Sequence, residues 1–237
     1  MISLRIGLNR WNGKLANYAK RYGVLELNSD DLPAPPALRK WRRLVSPAFA
    51  FSLVMPRVVA EFQTGATRDA ALVKAVAAAT ALQASVLVLA TPASIRPTKA
   101  NVERFVALAE ELPKNGQLVA WEPTGLWSPE ETEQVCAMLG WLPVVDAAEH
   151  DVKDGPIVYT RLRAIGKASR LGPNRLQRLA EQLAGRREAF VIADPSIATK
   201  LASSLAAAIE NAGVEHAVPQ LFKPNPNLDL DGLDEEQ

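Results

Sequence analysis

The sequence contains very little of the two residue types that most often build disulfides and transition-metal sites. It has one cysteine, Cys136, and two histidines, His150 and His216, among 237 residues. A single cysteine excludes a disulfide within the chain and a cysteine-based metal centre, and two histidines are too few for a histidine-rich one. We expect Cys136 to be a small buried residue on a helix.

The chain also lacks an excess of charge of either sign. Lysine and arginine together number 27 and aspartate and glutamate 26, for a formal net charge of +1. Such a balance is not that of a dedicated nucleic-acid binder. We therefore expect a small-molecule ligand rather than nucleic acid, and leave protein partners open.

Neither a signal peptide nor a membrane span is expected. The N-terminal stretch "MISLRIGLNRW" alternates in polarity and is interrupted early by Arg5, unlike a signal peptide. The long apolar stretch "VKAVAAATALQASVLVLA" contains Lys74, Gln83 and Ser85 and divides into a helix followed by a strand rich in branched residues. These features predict a soluble, cytoplasmic protein without a membrane partner.

A glycine-rich phosphate loop is missing after the first predicted strand, where the chain reads "GLNRWNGK" instead of G-x-G-x-x-G. This absence argues against a doubly wound open sheet. Segments with helical periodicity separate most of eight short apolar runs, and strand alternating with helix implies a parallel sheet. We therefore predict a single (β/α)8 TIM barrel. The predicted strands are "SLRIGLN", "GVLELNS", "FAFSLVMP", "SVLVLATP", "QLVAWEP", "LPVVDAA", "IVYTRLR" and "AFVIADP".

We assign residues 1–215 to the barrel domain and residues 216–237 to a loosely held, acidic, Pro- and Asn-rich tail. The segment "AAEHDVKDGP" is expected to hold only a short turn, so that the sixth strand has no helix after it.

Polar side chains lie toward the C-terminal ends of the predicted strands, where barrel enzymes keep their active sites. Alternate residues of a barrel strand face the lumen, which places Val24, Glu26 and Asn28 on one face of the second strand. The same rule predicts that four carboxylates converge near Arg161. They are Glu26, Glu122, Asp146 and Asp194.

Three interpretations of these carboxylates are open. They would bind a divalent cation, which prefers oxygen ligands, or act as general acid and base. The third interpretation is a structural ion pair between Glu26 and Arg161 across the lumen. We take Glu26, Glu122 and Asp146 as candidate catalytic residues, and a divalent metal as a candidate cofactor that nothing in the sequence establishes.

Basic residues and tryptophans provide further candidate ligand contacts. The stretch "YTRLRAIGKASRLGPNRLQR" is rich in arginine and contains Gly166 and Gly172, as in loops that bind anions. Trp11 follows the first strand and is placed to stack on a ligand. The candidate ligand-binding residues are Asn28, Arg161, Trp11, Arg163 and Asp194.

In its order of motifs the chain resembles the YecE-like family, also called domain of unknown function 72. "IGLNRWNGK" is similar to the family's first strand, and "YAKRYGVLELNS" resembles its second unit, which ends in V-E-I-N-S. "SPAFAFSLVMPR", "LVAWEPTGLW", "VVDA" and "VYTRLR" are similar to later strands, so the resemblance covers about residues 1–212. It implies a TIM barrel whose pocket contains Glu26, Asn28, Glu122, Asp146 and Arg161.

The chain departs from the family pattern at several polar positions. The family's Arg-His pair after the fifth strand reads Pro123-Thr124, and its His-Gly after the seventh reads Arg163-Ala164. An asparagine pair ending the eighth strand reads Asp194-Pro195. The resemblance therefore implies a divergent member, with changed or lost activity.

Overall fold

Each of the eight predicted apolar runs forms a strand in the computed structural model, which describes residues 2–163, 171–195 and 198–211. The strands are parallel and close in sequence order, with the eighth paired to the first. The predicted (β/α)8 barrel is therefore confirmed. The strands are β1 Ser3–Leu8, β2 Val24–Asn28, β3 Ala50–Val54, β4 Val86–Thr91, β5 Leu118–Pro123, β6 Leu142–Val145, β7 Ile157–Leu162 and β8 Glu188–Ala193.

Helices cover the outside of the barrel, and one of them begins at a clear local sequence signal. The side chain of Ser128 accepts a hydrogen bond from the Glu131 backbone N–H, and the Glu131 side chain accepts one from the Ser128 backbone N–H. This capping box starts the helix Pro129–Leu139. Between β6 and β7 the described residues 146–156 form only turns and bends, as predicted. The helices are α1 Leu15–Ala19, α2 Pro35–Arg43, α3 Arg57–Ala60, α4 Ala66–Leu82, α5 Lys99–Glu111, α6 Pro129–Leu139, α7 Pro173–Leu183 and α8 Ala198–Asn211.

The strands separate two hydrophobic cores. The larger lies between the strands and the helices, and the smaller fills the lumen. Because side chains alternate between the two cores, the lumen set fixes the phase of β2 to β8, and the outer set fixes that of β1. The buried lumen residues are Val24, Ala50, Val86, Val88, Ala120, Val144, Tyr159, Phe190 and Ile192.

A tyrosine hydroxyl bridges β1 and β2 where their pairing is short. Only Gly7 and Leu8 of β1 are in register with β2, whereas six residues of β1 pair with β8. The hydroxyl of Tyr18 accepts a hydrogen bond from the Leu8 N–H at 2.8 Å and donates to the Val24 carbonyl at 2.7 Å. A Cβ at Gly7 would fall 1.8 Å from that same carbonyl oxygen, so the close approach of the strands requires glycine.

None of the helices in the described part of the chain combines the length and apolar character needed to cross a membrane. The basic loop predicted after β7 falls largely on residues 164–170, and the predicted acidic tail on residues 216–237; both lie outside the described residues.

Candidate functional site

Arg161, the penultimate residue of β7, connects two carboxylates across the lumen. Its Nη2 lies 2.9 Å from Glu26 Oε2, and its Nε donates to the same oxygen at 3.0 Å. Its Nη1 forms an ion pair with Glu122 Oε2. Because β7 neighbours neither β2 nor β5 in the barrel, these contacts join three separate parts of the wall.

Because this cluster is buried, its charges are costly to maintain unless they are paired. The side chains of Glu26, Glu122 and Arg161 are 3%, 9% and 18% exposed. Burial raises the pKa of Glu26, while the Arg161 charge and hydrogen bonds from Tyr159 and Arg161 oppose that rise. Burial alone would lower the pKa of Arg161, but Glu26 and Glu122 outweigh it and the pKa is raised. Arg161 therefore stays charged.

Two hydroxyl groups support Glu26 from inside the lumen. Tyr159, two residues before Arg161, donates its hydroxyl hydrogen to Glu26 Oε2. The Tyr159 oxygen is also 2.7 Å from Ser52 Oγ, and all three residues are buried. Burial, followed by the Glu26 charge, raises the pKa of Tyr159 well above its ordinary value, so the phenol keeps its proton.

Arg163 extends the cluster to the solvent. Its guanidinium pairs with the second oxygen of Glu122, yet its side chain is 63% exposed. Its backbone N–H donates to Asp146 Oδ2 at 3.2 Å. Arg163 thus covers Glu122 at the mouth of the barrel.

Asp146 organises the turn after β6 instead of contacting Arg161. Its Oδ1 accepts from the Ala148 N–H at 3.0 Å, and its Oδ2 lies 3.5 Å from Arg175 Nη2. Arg175 of α7 also pairs with Glu149 at 2.6 Å. The structure therefore brings Glu26 and Glu122 directly to Arg161, while Asp146 joins the cluster through Arg163.

The remaining candidate residues have other contacts. Asn28 is exposed at the end of β2, where its side chain accepts from the Asp30 N–H and donates to Asp31, both at 3.2 Å. Trp11 packs edge-on against Trp41 of α2, with ring centroids 5.2 Å apart. Asp194 is half-buried directly after β8. Binding roles for these three stay predictions.

Aromatic side chains pack on the helix-facing side of β5, in the larger core. Trp127 donates from Nε1 to the Ile95 carbonyl at 2.6 Å, and its ring packs on Trp121 and Phe105. Trp121 in turn donates to Thr91 Oγ1 at 3.0 Å. Trp127 therefore belongs to the aromatic packing between β5 and α5.

The residues present do not form a ready metal site. Within the described ranges, no three His, Cys, Asp or Glu side chains are grouped so that they would hold a metal ion. The two glutamates at the centre are bound to guanidinium groups. Any cation there would have to displace Arg161 first.

Two crevices lie at a distance from this chemistry. The larger, of about 510 Å³, is lined by the loop before β7 and the end of α7. The second, of about 230 Å³ and mostly apolar, lies between α6 and the β6–β7 region where no helix follows β6. Neither includes Arg161 or its partners, so the candidate site is identified by its buried charges rather than by volume.

Ser52 and Tyr159 are the main residues that sequence reasoning did not include among the site residues. The alternation puts both side chains on lumen faces, but it does not connect a hydroxyl group there to Glu26. The available signal was that Tyr159 and Arg161 share a strand face. Arg175 lies within the arginine-rich stretch after β7, and no sequence pattern distinguishes it from the other arginines there.

Comparison with known proteins agrees with this fold. A DUF72 family protein from Enterococcus faecalis V583 superposes with a TM-score of 0.71 at 15% identity, covering 87% of this chain and 95% of that one. A DUF72 family protein from Thermotoga maritima MSB8 gives 0.66 at 16% identity, covering 90% and 100%. A xylose isomerase domain containing protein from Salmonella typhimurium LT2 gives 0.58 at 14% identity, covering 88% and 94%.

These identities are low, so the likeness to solved structures shows the fold alone. No curated protein matches the chain. The family model described as "Protein of unknown function DUF72" matches residues 7–224, most of the sequence. The chain therefore belongs to the DUF72 family of TIM-barrel proteins.

Proposed function

We propose that the protein binds a small anionic or polyol-like ligand at the C-terminal mouth of the barrel and acts on it by acid–base chemistry. The observation that carries the proposal is the bridge from Arg161 to both Glu26 and Glu122. A buried three-way charge cluster at the end where barrels keep their sites is costly to maintain for packing alone.

Arg163 supports an anionic ligand. It is the most exposed member of the cluster, and one end of its guanidinium is held by Glu122. A guanidinium has five N–H donors in a planar fork and binds carboxylate or phosphate oxygens in pairs. An anion bound on the solvent side of Arg163 would lie next to Glu122 and Arg161.

The different surroundings of the two glutamates support acid–base chemistry. Glu26 lies deep in the lumen with a raised pKa, whereas Glu122 lies nearer to the solvent beside Arg163. Carboxyl groups in unlike environments can take opposite proton-transfer roles. In this proposal Glu26 and Glu122 exchange protons with the ligand, Arg161 neutralises negative charge, and Asp146 holds the Arg163 segment in place.

Metal-assisted chemistry is a weaker form of the same proposal. It requires Arg161 to leave both glutamates so that their oxygens can bind a cation. Elemental analysis of the untagged protein beside a Glu26→Gln, Glu122→Gln double variant tests it. A near-stoichiometric divalent metal that the double variant loses would replace the acid–base form.

A second candidate function is a catalytically degenerate barrel that binds or assembles with partners. The observation in its favour is that both central glutamates are engaged by arginines. In addition, Arg163 stands where the resembled pattern has a histidine. A carboxylate that is paired with an arginine is poorly placed to exchange a proton with a ligand.

A measurement of anion binding tests the first step of the ligand-binding proposal. We would measure the melting temperature and calorimetric binding with inorganic phosphate and with citrate, at ionic strength matched by chloride. We expect phosphate or citrate to stabilise the wild type, and Arg163→Gln to lose most of that shift. Arg187→Gln, which removes an exposed arginine just before β8, should keep it.

The proposal fails if neither anion stabilises the protein beyond chloride, or if both variants lose the effect equally. The second outcome would indicate a non-specific response to net charge.

We keep cytoplasmic location and the absence of a nucleic-acid partner as proposals. The net charge of +1 supports the latter. Binding to duplex or single-stranded nucleic acid with a steep salt dependence would overturn it.

A further inference from the structure

A line of buried hydroxyl groups ends at Glu26. Ser52 on β3 is in register with Glu26 on the neighbouring strand β2. Tyr159 comes from β7 on the far side and places its oxygen 2.7 Å from Ser52 Oγ. Its hydroxyl also contacts Glu26 Oε2. Ser52 and Tyr159 are fully buried, so these hydroxyls have no access to bulk water.

The donors and acceptors in this line have a fixed order. A phenol has one hydrogen, and Tyr159 donates it to the Glu26 carboxylate, which has no hydrogen to give when ionised. The Tyr159 oxygen must therefore accept from Ser52. Ser52 thus donates to Tyr159, and Tyr159 donates to Glu26 Oε2. The same Glu26 oxygen also accepts a hydrogen bond from Arg161 Nε at 3.0 Å.

Packing alone does not require these hydroxyls. The Tyr159 ring stacks on Phe190, with centroids 5.9 Å apart, so a phenylalanine at position 159 would fill the same lumen space. Burying a hydroxyl carries a desolvation cost that only its hydrogen bonds offset. The Tyr159 hydroxyl is thus useful chiefly for what it does to Glu26.

We propose that Tyr159, oriented by Ser52, is a positioning residue that holds Glu26 in its ionised form with Oε2 fixed toward Arg161. The inference rests on the proposed function, since it makes Glu26 the proton acceptor for a ligand at the mouth. Donors to the charged form of a carboxyl favour that form, whereas burial favours the neutral one. Tyr159 and Arg161 together oppose the burial.

The groups that face Glu26 come from several elements. They are Tyr159 and Arg161 from β7, Glu122 from β5 and Tyr18 from α1. Among the described residues, only the β7 pair donates hydrogen bonds to Glu26. Of the two, Tyr159 can lose its donor without a change in net charge, so Tyr159→Phe isolates the hydrogen bond.

The test follows the titration of the Glu26 carboxyl carbon by NMR in full-length protein labelled at glutamate, with Glu26→Gln assigning the signal. We expect Tyr159→Phe to move the titration midpoint upward, because a donor to the ionised form is lost. Ser52→Ala should move it in the same direction by less. The double variant should add nothing to Tyr159→Phe, because Ser52 acts through Tyr159.

Tyr22→Phe is the matched control, since it removes a hydroxyl from a tyrosine packed in the outer layer on Tyr18, and it should leave the midpoint unchanged. If Tyr159→Phe and Ser52→Ala lower the melting temperature but leave the Glu26 midpoint where it was, the positioning role is overturned. A midpoint that moves as expected in a protein that binds no phosphate or citrate supports the positioning role and overturns only the ligand function.

Discussion

Glu26 on β2 and Arg161 on β7 form a 2.9 Å ion pair across the barrel, although β1 and β8 separate their strands. The pair therefore joins opposite parts of the wall through the lumen. Both side chains are largely removed from water, so each depends on the other for the interactions that water would otherwise supply.

Truncation of Arg161 should expose that dependence. Arg161→Ala leaves Glu26 buried with its main cationic partner removed, and we expect the free energy of unfolding to fall by about 3–5 kcal/mol. Urea denaturation at pH 7 measures it. Adding Glu26→Gln should recover part of the loss, because the unpaired charge is then gone.

Arg187→Gln serves as the control for this prediction, since it removes an exposed arginine and should change stability by no more than about 0.5 kcal/mol. An Arg161→Ala protein as stable as wild type would show that Glu26 is solvated or neutral without its partner.

The lumen face of the site was predictable from alternation alone. Val24 and Glu26 share a face, as do Tyr159 and Arg161, and the structure places Val24 and Tyr159 in the lumen core. These strands keep a period of two without a bulge, so the phase set by an apolar residue carries to the polar residue two positions on.

Contacts made by long or loop side chains were not predictable in the same way. Trp11 packs on Trp41, a residue distant in sequence, and no periodicity encodes that contact. The choice of Arg163 as a partner of Glu122 depends on side-chain rotamers that no periodicity encodes. Asn28 is a partial exception, because Asn before "SDD" is a capping signal, and its side chain does cap the turn Ser29–Asp31.

The Tyr18 hydroxyl bridge predicts a specific cost for its removal. Tyr18→Phe leaves the Leu8 N–H and the Val24 carbonyl without their buried partner, and we expect a loss of about 1–3 kcal/mol in the free energy of unfolding. Tyr22→Phe, on the neighbouring ring, should have a much smaller effect. Equal stability of the two variants in urea would mean that water or a shift of β1 satisfies both groups.

The loop after β5 should tolerate no side chain at Gly125. Its φ is +95°, and a Cβ there would lie 2.8 Å from the Cα of Ala93 in the loop after β4. We expect Gly125→Ala to lower the free energy of unfolding by about 1–3 kcal/mol. At Gly155, an added Cβ has no heavy atom of the described residues within 4 Å. Gly155→Ala should therefore be nearly neutral, and a similar loss in both variants would contradict the steric explanation.

The raised pKa of Glu26 predicts how stability depends on pH. Burial raises it from the ordinary 4.5 against the opposing effects of Arg161 and Tyr159. A carboxyl that binds its proton more tightly in the folded chain stabilises the fold most below about pH 4.5, and this contribution is lost as the pH rises through the folded-state pKa. Wild type should therefore lose stability relative to Glu26→Gln across that window in urea denaturation. Glu61 should behave oppositely, because hydrogen bonds from Arg57 and Gln63 lower its pKa. The wild type should therefore gain stability relative to Glu61→Gln as the pH rises. Parallel stability curves for wild type and Glu26→Gln would show that the Glu26 carboxyl titrates alike in the folded and unfolded chains.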